Sequence, residues 1–202
     1  MSLDHDAPTR RRPMKGLLGR LFARRDGATA MEFALLSLPF FMIVFASLET
    51  FVAFSAEQML ANATDTMARK IRMGDIRSTT KDGEKNAEAV FRKAFCDEIA
   101  ILMPCSTTEL AKPDKLYLDV RSFATYADIP KAVPMIGTDL DTSAFKFAPG
   151  GKRSINIIRA YYRWDIVTDV VRPYVSNIRA SDGSRQNYLM VATAVVQNED
   201  FP

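Results

Sequence analysis

Between Phe33 and Leu48 the alternation of hydrophobic and polar positions seen elsewhere in this chain stops. These 16 residues carry no charge. Leu35, Leu36, Leu38, Phe40, Phe41, Met42, Ile43, Val44 and Phe45 cover the whole circumference of a helix and leave no polar face. The run rises about 24 Å at 1.5 Å per residue. With Ala28 to Met31 on one side and Phe51 to Phe54 on the other it reaches the roughly 20 residues of a bilayer-spanning helix. Pro39 removes one backbone donor and predicts a kink, which membrane helices accommodate. A buried helix of a water-soluble protein is the rival reading, and the missing polar face argues against it.

Beyond the run, helical spacing continues without a breaker through Leu48, Val52, Ser55, Met59, Asn62 or Ala63, Thr66 or Met67, Lys70 and Ile71, up to Gly74, which reads as a left-handed cap. One helix is therefore expected to start in the membrane and to emerge from it with an amphipathic outer half. After a loop around Asp75 to Gly83, a second helix shows Ala87, Val90, Phe91, Ala94, Phe95, Ile99 and Leu102 on one face. Lys85, Glu88, Arg92, Lys93 and Glu98 occupy the other, and Pro104 ends it.

Strand signals follow. Lys115 to Phe123 alternates Leu116, Leu118 and Val120 with Tyr117, Asp119 and Arg121. Ser154 to Val167 is rich in Ile, Tyr and Trp164, and Tyr188 to Val196 in Val and Thr. Pro130, Pro134, Gly137, Pro149, Gly150 and Gly151 mark a long excursion between the first two strands, where Met135, Phe145 and Phe147 either cover the sheet or meet a partner. Pro173 and Asp182-Gly183 mark a second connection. The expected fold class is α+β: a long N-terminal membrane-spanning helix, then a small domain of one helix packed on about three antiparallel strands. The expected division is a leader over 1–27, the spanning and protruding helix over 28–74, and an outer domain over 75–202. That domain is large enough for one modest core.

Charge orients this plan. The net charge of +3 is uneven: seven Arg and Lys against three Asp precede Ala28, giving +4, and the remaining 20 basic and 21 acidic residues leave −1. A basic nucleic-acid-binding domain is thus unsupported. The Arg10-Arg11-Arg12 cluster beside an apolar run reads more economically as an orientation signal than as a nuclear-localisation or RNA-binding element. It keeps the N-terminus cytoplasmic and puts the body outside. A secretory signal peptide has a similar outline, but the apolar stretch is longer than usual and only a weak cleavage site stands at Ala53 to Ser55. In an oxidising compartment Cys96 and Cys105 are candidates for a disulfide, favoured by their short separation and the intervening Pro104; two buried free thiols are the alternative.

Catalytic signatures are lacking. The single histidine is His5, in the leader, so the outer domain has no Ser-His or Cys-His pair, and a histidine-ligated metal site is not expected. No glycine-rich phosphate loop occurs, and no cofactor is implied. Lys152 and Ser154 make a weak Ser-Lys candidate, better read as a solvated strand end. Tyr161, Tyr162 and Trp164 read as strand core before sugar platform. Glu49 is expected at the outer headgroups. Glu32 is the conspicuous residue, an acid at the entrance to an apolar helix, where ionisable groups are costly and read as functional.

Gly27-Ala28, followed at the fifth position by Glu32 with Phe33, after a basic leader and before an apolar helix, resembles the processing site of type IV pilin-like proteins. Within that class it is most similar to the TadE/TadF-like pseudopilins of the tight adherence (Tad, Flp) pilus. Ala192 to Phe201 is similar to the closing strand and Asn-Glu-Pro-Phe ending of TadE-like proteins, with Asp200 where Pro is usual. Asp26 likewise departs from the basic residues usual before the cut. The resemblance implies cleavage by a prepilin peptidase between Gly27 and Ala28. It implies that the Glu32 carboxylate, about 6 Å along the axis from the freed amine, neutralises the amine of a neighbouring subunit. It further implies a non-enzymatic minor pilin-like component, longer than a major Flp pilin. Such a component sits in a bacterial inner membrane with a periplasmic C-terminal domain, and its partners are the peptidase, other pilins and pseudopilins, and the inner-membrane assembly platform. The rival from outside this class is an uncleaved, signal-anchored binding or scaffold module. A secreted enzyme released after Ser55 is the third reading.

Overall fold

The computed structural model describes the backbone of residues 25–77, 87–180 and 186–200, with side chains from residue 29 onward. The leader to residue 24, the part of the first loop over 78–86 with Lys85, the Asp182-Gly183 connection and Phe201 lie outside the described residues.

The chain divides into two compact units at Phe45 and Ala46. In the first, helix α1 (Arg25–Arg72) begins, with Pro39 inside it. Its side chains from Phe33 to Phe45 stand open, Phe33 at 70% exposure and Leu35 at 73%. Over Thr29–Arg72 the helix is long enough, and in part apolar enough, to cross a membrane. The Ser37 hydroxyl donates to the Ala34 carbonyl at 3.2 Å, so this polar group is satisfied inside the helix.

In the second unit α1 continues to Arg72 and closes in a Schellman motif. The Gly74 N–H donates to the Ile71 carbonyl at 3.0 Å and the Asp75 N–H to the Lys70 carbonyl at 2.9 Å. Gly74 has the φ of 78° that this cap needs, and a side chain there would be strained. The buried stripe is Ala56, Leu60, Ala63, Thr64, Met67, Ala68 and Ile71, whereas Leu48 and Val52 are exposed. The expected stripe was thus rotated by about one position. Ala56, Ala63 and Ala68 share this face with Leu60, Met67 and Ile71, and a search for large apolar side chains passes over the alanines.

Helix α2 (Ala87–Ile99) is followed by a short α3 (Thr107–Ala111). α2 stops five residues before Pro104, so the proline does not terminate it. Its faces also differ from expectation: Arg92 is buried and Val90 exposed. The sheet comprises β1 (Leu116–Phe123), a hairpin of β2 (Met135–Ile136) and β3 (Asp139–Leu140) as a separate ribbon, then β4 (Phe147–Ala148), β5 (Ile155–Trp164), β6 (Ile178–Arg179) and β7 (Gln186–Gln197). A one-turn α4 (Arg172–Val175) precedes β6. The five-stranded order is β4-β1-β5-β7-β6. Three long antiparallel strands are present as expected, and two two-residue strands edge them, β4 lying parallel to β1. Such short strands carry too few residues for a periodicity to register.

Register explains the two faces. Leu116, Tyr162 and Met190 share one row, and Val120, Ile158 and Ala194 another. Together with Leu60 and Met67 of α1 and Phe91 and Phe95 of α2 they form the main core. Alternate residues point the other way. There Tyr161 packs with Leu140, Ile178 and Leu189, and Phe145 stacks on its ring at 4.9 Å. Phe147 meets Phe91 at 5.1 Å. Both phenylalanines of the excursion are therefore core cover, whereas Met135 remains 43% exposed. The architecture is α+β, with α1 and α2 on one face of the sheet and Leu140 and Phe145 of the excursion on the other.

Candidate functional site

The site is built on α1. The Gly27–Ala28 bond lies in its first turn. Glu32 and Phe33, one turn on, are both exposed, and no cation among the described residues is paired with Glu32. Their surroundings are the exposed apolar surface of Leu35, Leu36, Leu38 and Phe40. From Glu32 to Leu48 an acid is followed by apolar side chains on every side of the helix, which offers a lipid or helix-packing surface that begins at a carboxylate.

Glu49, expected at the headgroups, is engaged by the protein itself. Its Oε1 accepts the Val167 N–H at 2.5 Å and its Oε2 the Thr168 N–H at 3.1 Å. A carboxylate held by two backbone donors is charge-assisted and geometrically fixed, so it ties the loop after β5 to α1. Beside it lies an apolar cavity of about 270 Å³ between residues 46–57 of α1 and Trp164, Ile166, Val171, Val175 and Tyr188. The indole Nε1 of Trp164 is buried without a hydrogen-bond partner among the described residues.

The opposite end of the same helix is held by the last described residues of the chain. The Glu199 N–H donates to the Arg72 carbonyl at 3.0 Å, and their side chains pair at 3.2 Å. Asn198 is buried. Its Nδ2 donates to the carbonyls of Gly150 and Gly151, both at 2.9 Å, and its Oδ1 accepts from Asn156 Nδ2 at 2.9 Å. Gly150 has no room for a side chain, since a Cβ there would stand 2.8 Å from that of Ser122 and closer still to Ser154.

A third cluster supports α2. Cys96 and Cys105 are joined in a disulfide, with Cα atoms 5.7 Å apart. Close by, the buried Glu109 carboxylate accepts from the N–H groups of Asp114, Lys115 and Leu116 at 2.9–3.1 Å. Arg92 Nη1 stands 4.0 Å from it and donates to the Leu116 carbonyl at 3.0 Å. Burial lowers the Arg92 pKa, opposed by the charges of Glu109 and Glu88.

The other sequence candidates separate. The Ser154 hydroxyl donates to the Gly151 carbonyl at 2.6 Å, and Lys152 Nζ stands 4.0 Å from Asp200, so neither is engaged with the other. Tyr161 and Tyr162 are buried strand core, and burial raises both phenol pKa values. Among the described residues no group of three potential metal ligands occurs. Sequence reasoning missed Glu109 and Asn156, whose partners are backbone or distant amides. It underrated Glu49, although an acid closing an apolar run was a usable signal.

Residues 27–69, about a fifth of the chain and all within α1, match the family described as TadE-like protein. No curated protein matches, and no solved structure matches. The segment that is similar to this family, which belongs to Tad pilus systems, thus begins at Gly27 and contains Glu32, Phe33 and Glu49.

Proposed function

We propose that this protein is a minor pilin-like subunit that helps initiate or build a Tad-type pilus. A prepilin peptidase cuts it between Gly27 and Ala28, and α1 anchors it once in the inner membrane. The carrying observation is the exposed Glu32 at the start of an apolar helix inside the TadE-like segment. Four residues of helix rise put its carboxylate about 6 Å along the axis from the amine of Ala28. In lipid both charges are costly alone, and pairing between neighbouring subunits offsets part of that cost. Other pilins and pseudopilins pack on the open surface over 29–48, and the assembly platform receives the complex. The disulfide accords with a periplasmic outer domain, since such bonds persist in oxidising compartments. The work is done by packing and charge pairing, with no catalytic step and no cofactor.

The test is the mature N-terminus, read by mass spectrometry with and without the co-expressed peptidase. The expected N-terminus is Ala28, and Gly27→Trp is expected to abolish processing. Glu32→Ala is expected to be inserted and cleaved but to support no pili. An intact leader in the presence of active peptidase overturns the proposal in favour of an uncleaved anchored module, and normal piliation by Glu32→Ala removes the role given to that acid.

A further inference from the structure

The segment 166–175 presents apolar side chains to the outside without a covering element. Val167 is 83% exposed, Val170 59% and Tyr174 87%. Surface loops rarely offer so many large apolar groups together, and such patches mark interaction sites. We propose that this segment is a second membrane contact, seated in the lipid headgroup layer beside α1. The inference rests on the reading of α1 as a membrane span.

Glu49 sets the level of the loop. It follows directly on Leu48, the last residue of the uncharged run, and so marks the place where the span ends. Because its carboxylate holds the N–H groups of Val167 and Thr168, the loop is fixed next to the helix at that place. The occupant that is continuous with the span there is the bilayer surface.

The segment is also chemically fitted to that layer. Its two charges cancel: Asp169 Oδ1 meets Arg172 Nη2 at 2.6 Å, and the same Nη2 donates to the Ile166 carbonyl at 2.7 Å. Its backbone is largely closed on itself, with the N–H groups of Val171 and Arg172 donating to the Thr168 carbonyl and those of Tyr174 and Val175 to the Val171 carbonyl. Pro173 has no N–H to satisfy. Few orphan donors therefore face the lipid, the condition for backbone at membrane depth. Tyr174 has the amphipathic ring that settles at membrane interfaces. On its inner side the same segment contributes Ile166, Val171 and Val175 to the apolar cavity beside Glu49.

The experiment uses the full chain reconstituted in vesicles of phosphatidylethanolamine and phosphatidylglycerol. The described cysteines are both in the disulfide, so single thiols placed by Phe40→Cys, Tyr174→Cys or Lys152→Cys carry an environment-sensitive fluorophore. Lys152 stands at the far end of β5 from Trp164, roughly 30 Å away along the strand. Quenchers are attached either at the lipid headgroup or in mid-chain. The mid-chain quencher is expected to reach the label at 40. The headgroup quencher is expected to reach the label at 174 several-fold more than that at 152, with a blue shift at 174. Glu49→Ala is expected to weaken quenching at 174 and leave that at 40 unchanged. A label at 174 no more quenched than that at 152, while 40 is quenched, overturns the inference and leaves the span intact. A blue shift at 174 that needs high protein density and no lipid assigns the surface to a second copy and equally overturns it. Loss of quenching at 40 removes the span reading and the inference with it.

Discussion

Asn156 and Asn198 meet side chain to side chain at 2.9 Å inside the domain, 42 residues apart in sequence. Asn156 Oδ1 also accepts the Gly150 N–H at 2.7 Å, while Asn198 donates to the carbonyls of Gly150 and Gly151. The two amides therefore pin one glycine turn from both sides. The next residue, Glu199, is bonded to the end of α1, so the turn, the last strand and the end of that helix are held at one seam.

Replacing Asn198 is expected to cost far more than its size suggests. Asn198→Ala leaves one amide and two carbonyls without their partner in a buried place, a loss of about 2–3 kcal/mol. Asn198→Asp should be at least as harmful, because a carboxylate cannot donate to the two glycine carbonyls. Urea denaturation of the detergent-solubilised chain, followed by circular dichroism, checks both. A loss under about 0.5 kcal/mol for Asn198→Ala, the ordinary surface level, would contradict the seam.

The Arg92 and Glu109 pair should respond asymmetrically. Without Arg92, the Glu109 carboxylate still has three backbone donors. Without Glu109, a buried guanidinium keeps one carbonyl and three N–H groups lose their acceptor. Glu109→Ala is therefore expected to destabilise by about 3–5 kcal/mol, and Arg92→Met by clearly less. Equal losses in the same denaturation assay would refute this asymmetry, and a larger loss for Arg92→Met would show that the guanidinium organises the cluster.

Alkaline pH should unfold the α+β domain cooperatively. Burial holds the phenols of Tyr117, Tyr161, Tyr162 and Tyr188 above their ordinary value of about 10. The hydrogen bond to Asp165 raises Lys115. In each case the folded state keeps a proton that the unfolded chain has already lost. The stabilisation is thus complete below about pH 10 and declines as pH climbs through the raised values. Tyrosinate absorbance and loss of circular dichroism are expected to rise together. Full tyrosinate absorbance in a chain that is still folded would refute this.

Sequence alone determined the parts whose signal is local. The uncharged run after Phe33 needs no partner to be recognised, nor does the alternation in β1 or the Val and Thr content of β7. Gly74 announced its cap because few other residues accept a positive φ. The five-residue spacing from Gly27 to Glu32 is equally self-contained, and it lies within the segment similar to the TadE-like family.

Tertiary structure decided the rest, for one physical reason: the partners are backbone groups or distant residues that leave no periodicity behind. Arg92 reads as a solvated charge on its helix and is buried only because Glu109 and the Leu116 carbonyl await it. The inner face of α1 includes Ala56, Ala63 and Ala68 beside Leu60, Met67 and Ile71, because which side meets the sheet is fixed by the core it packs on and not by the largest apolar residues alone. Glu49 found its donors 118 residues downstream, in a loop whose N–H groups carry no residue identity, so no spacing in the chain could have joined them.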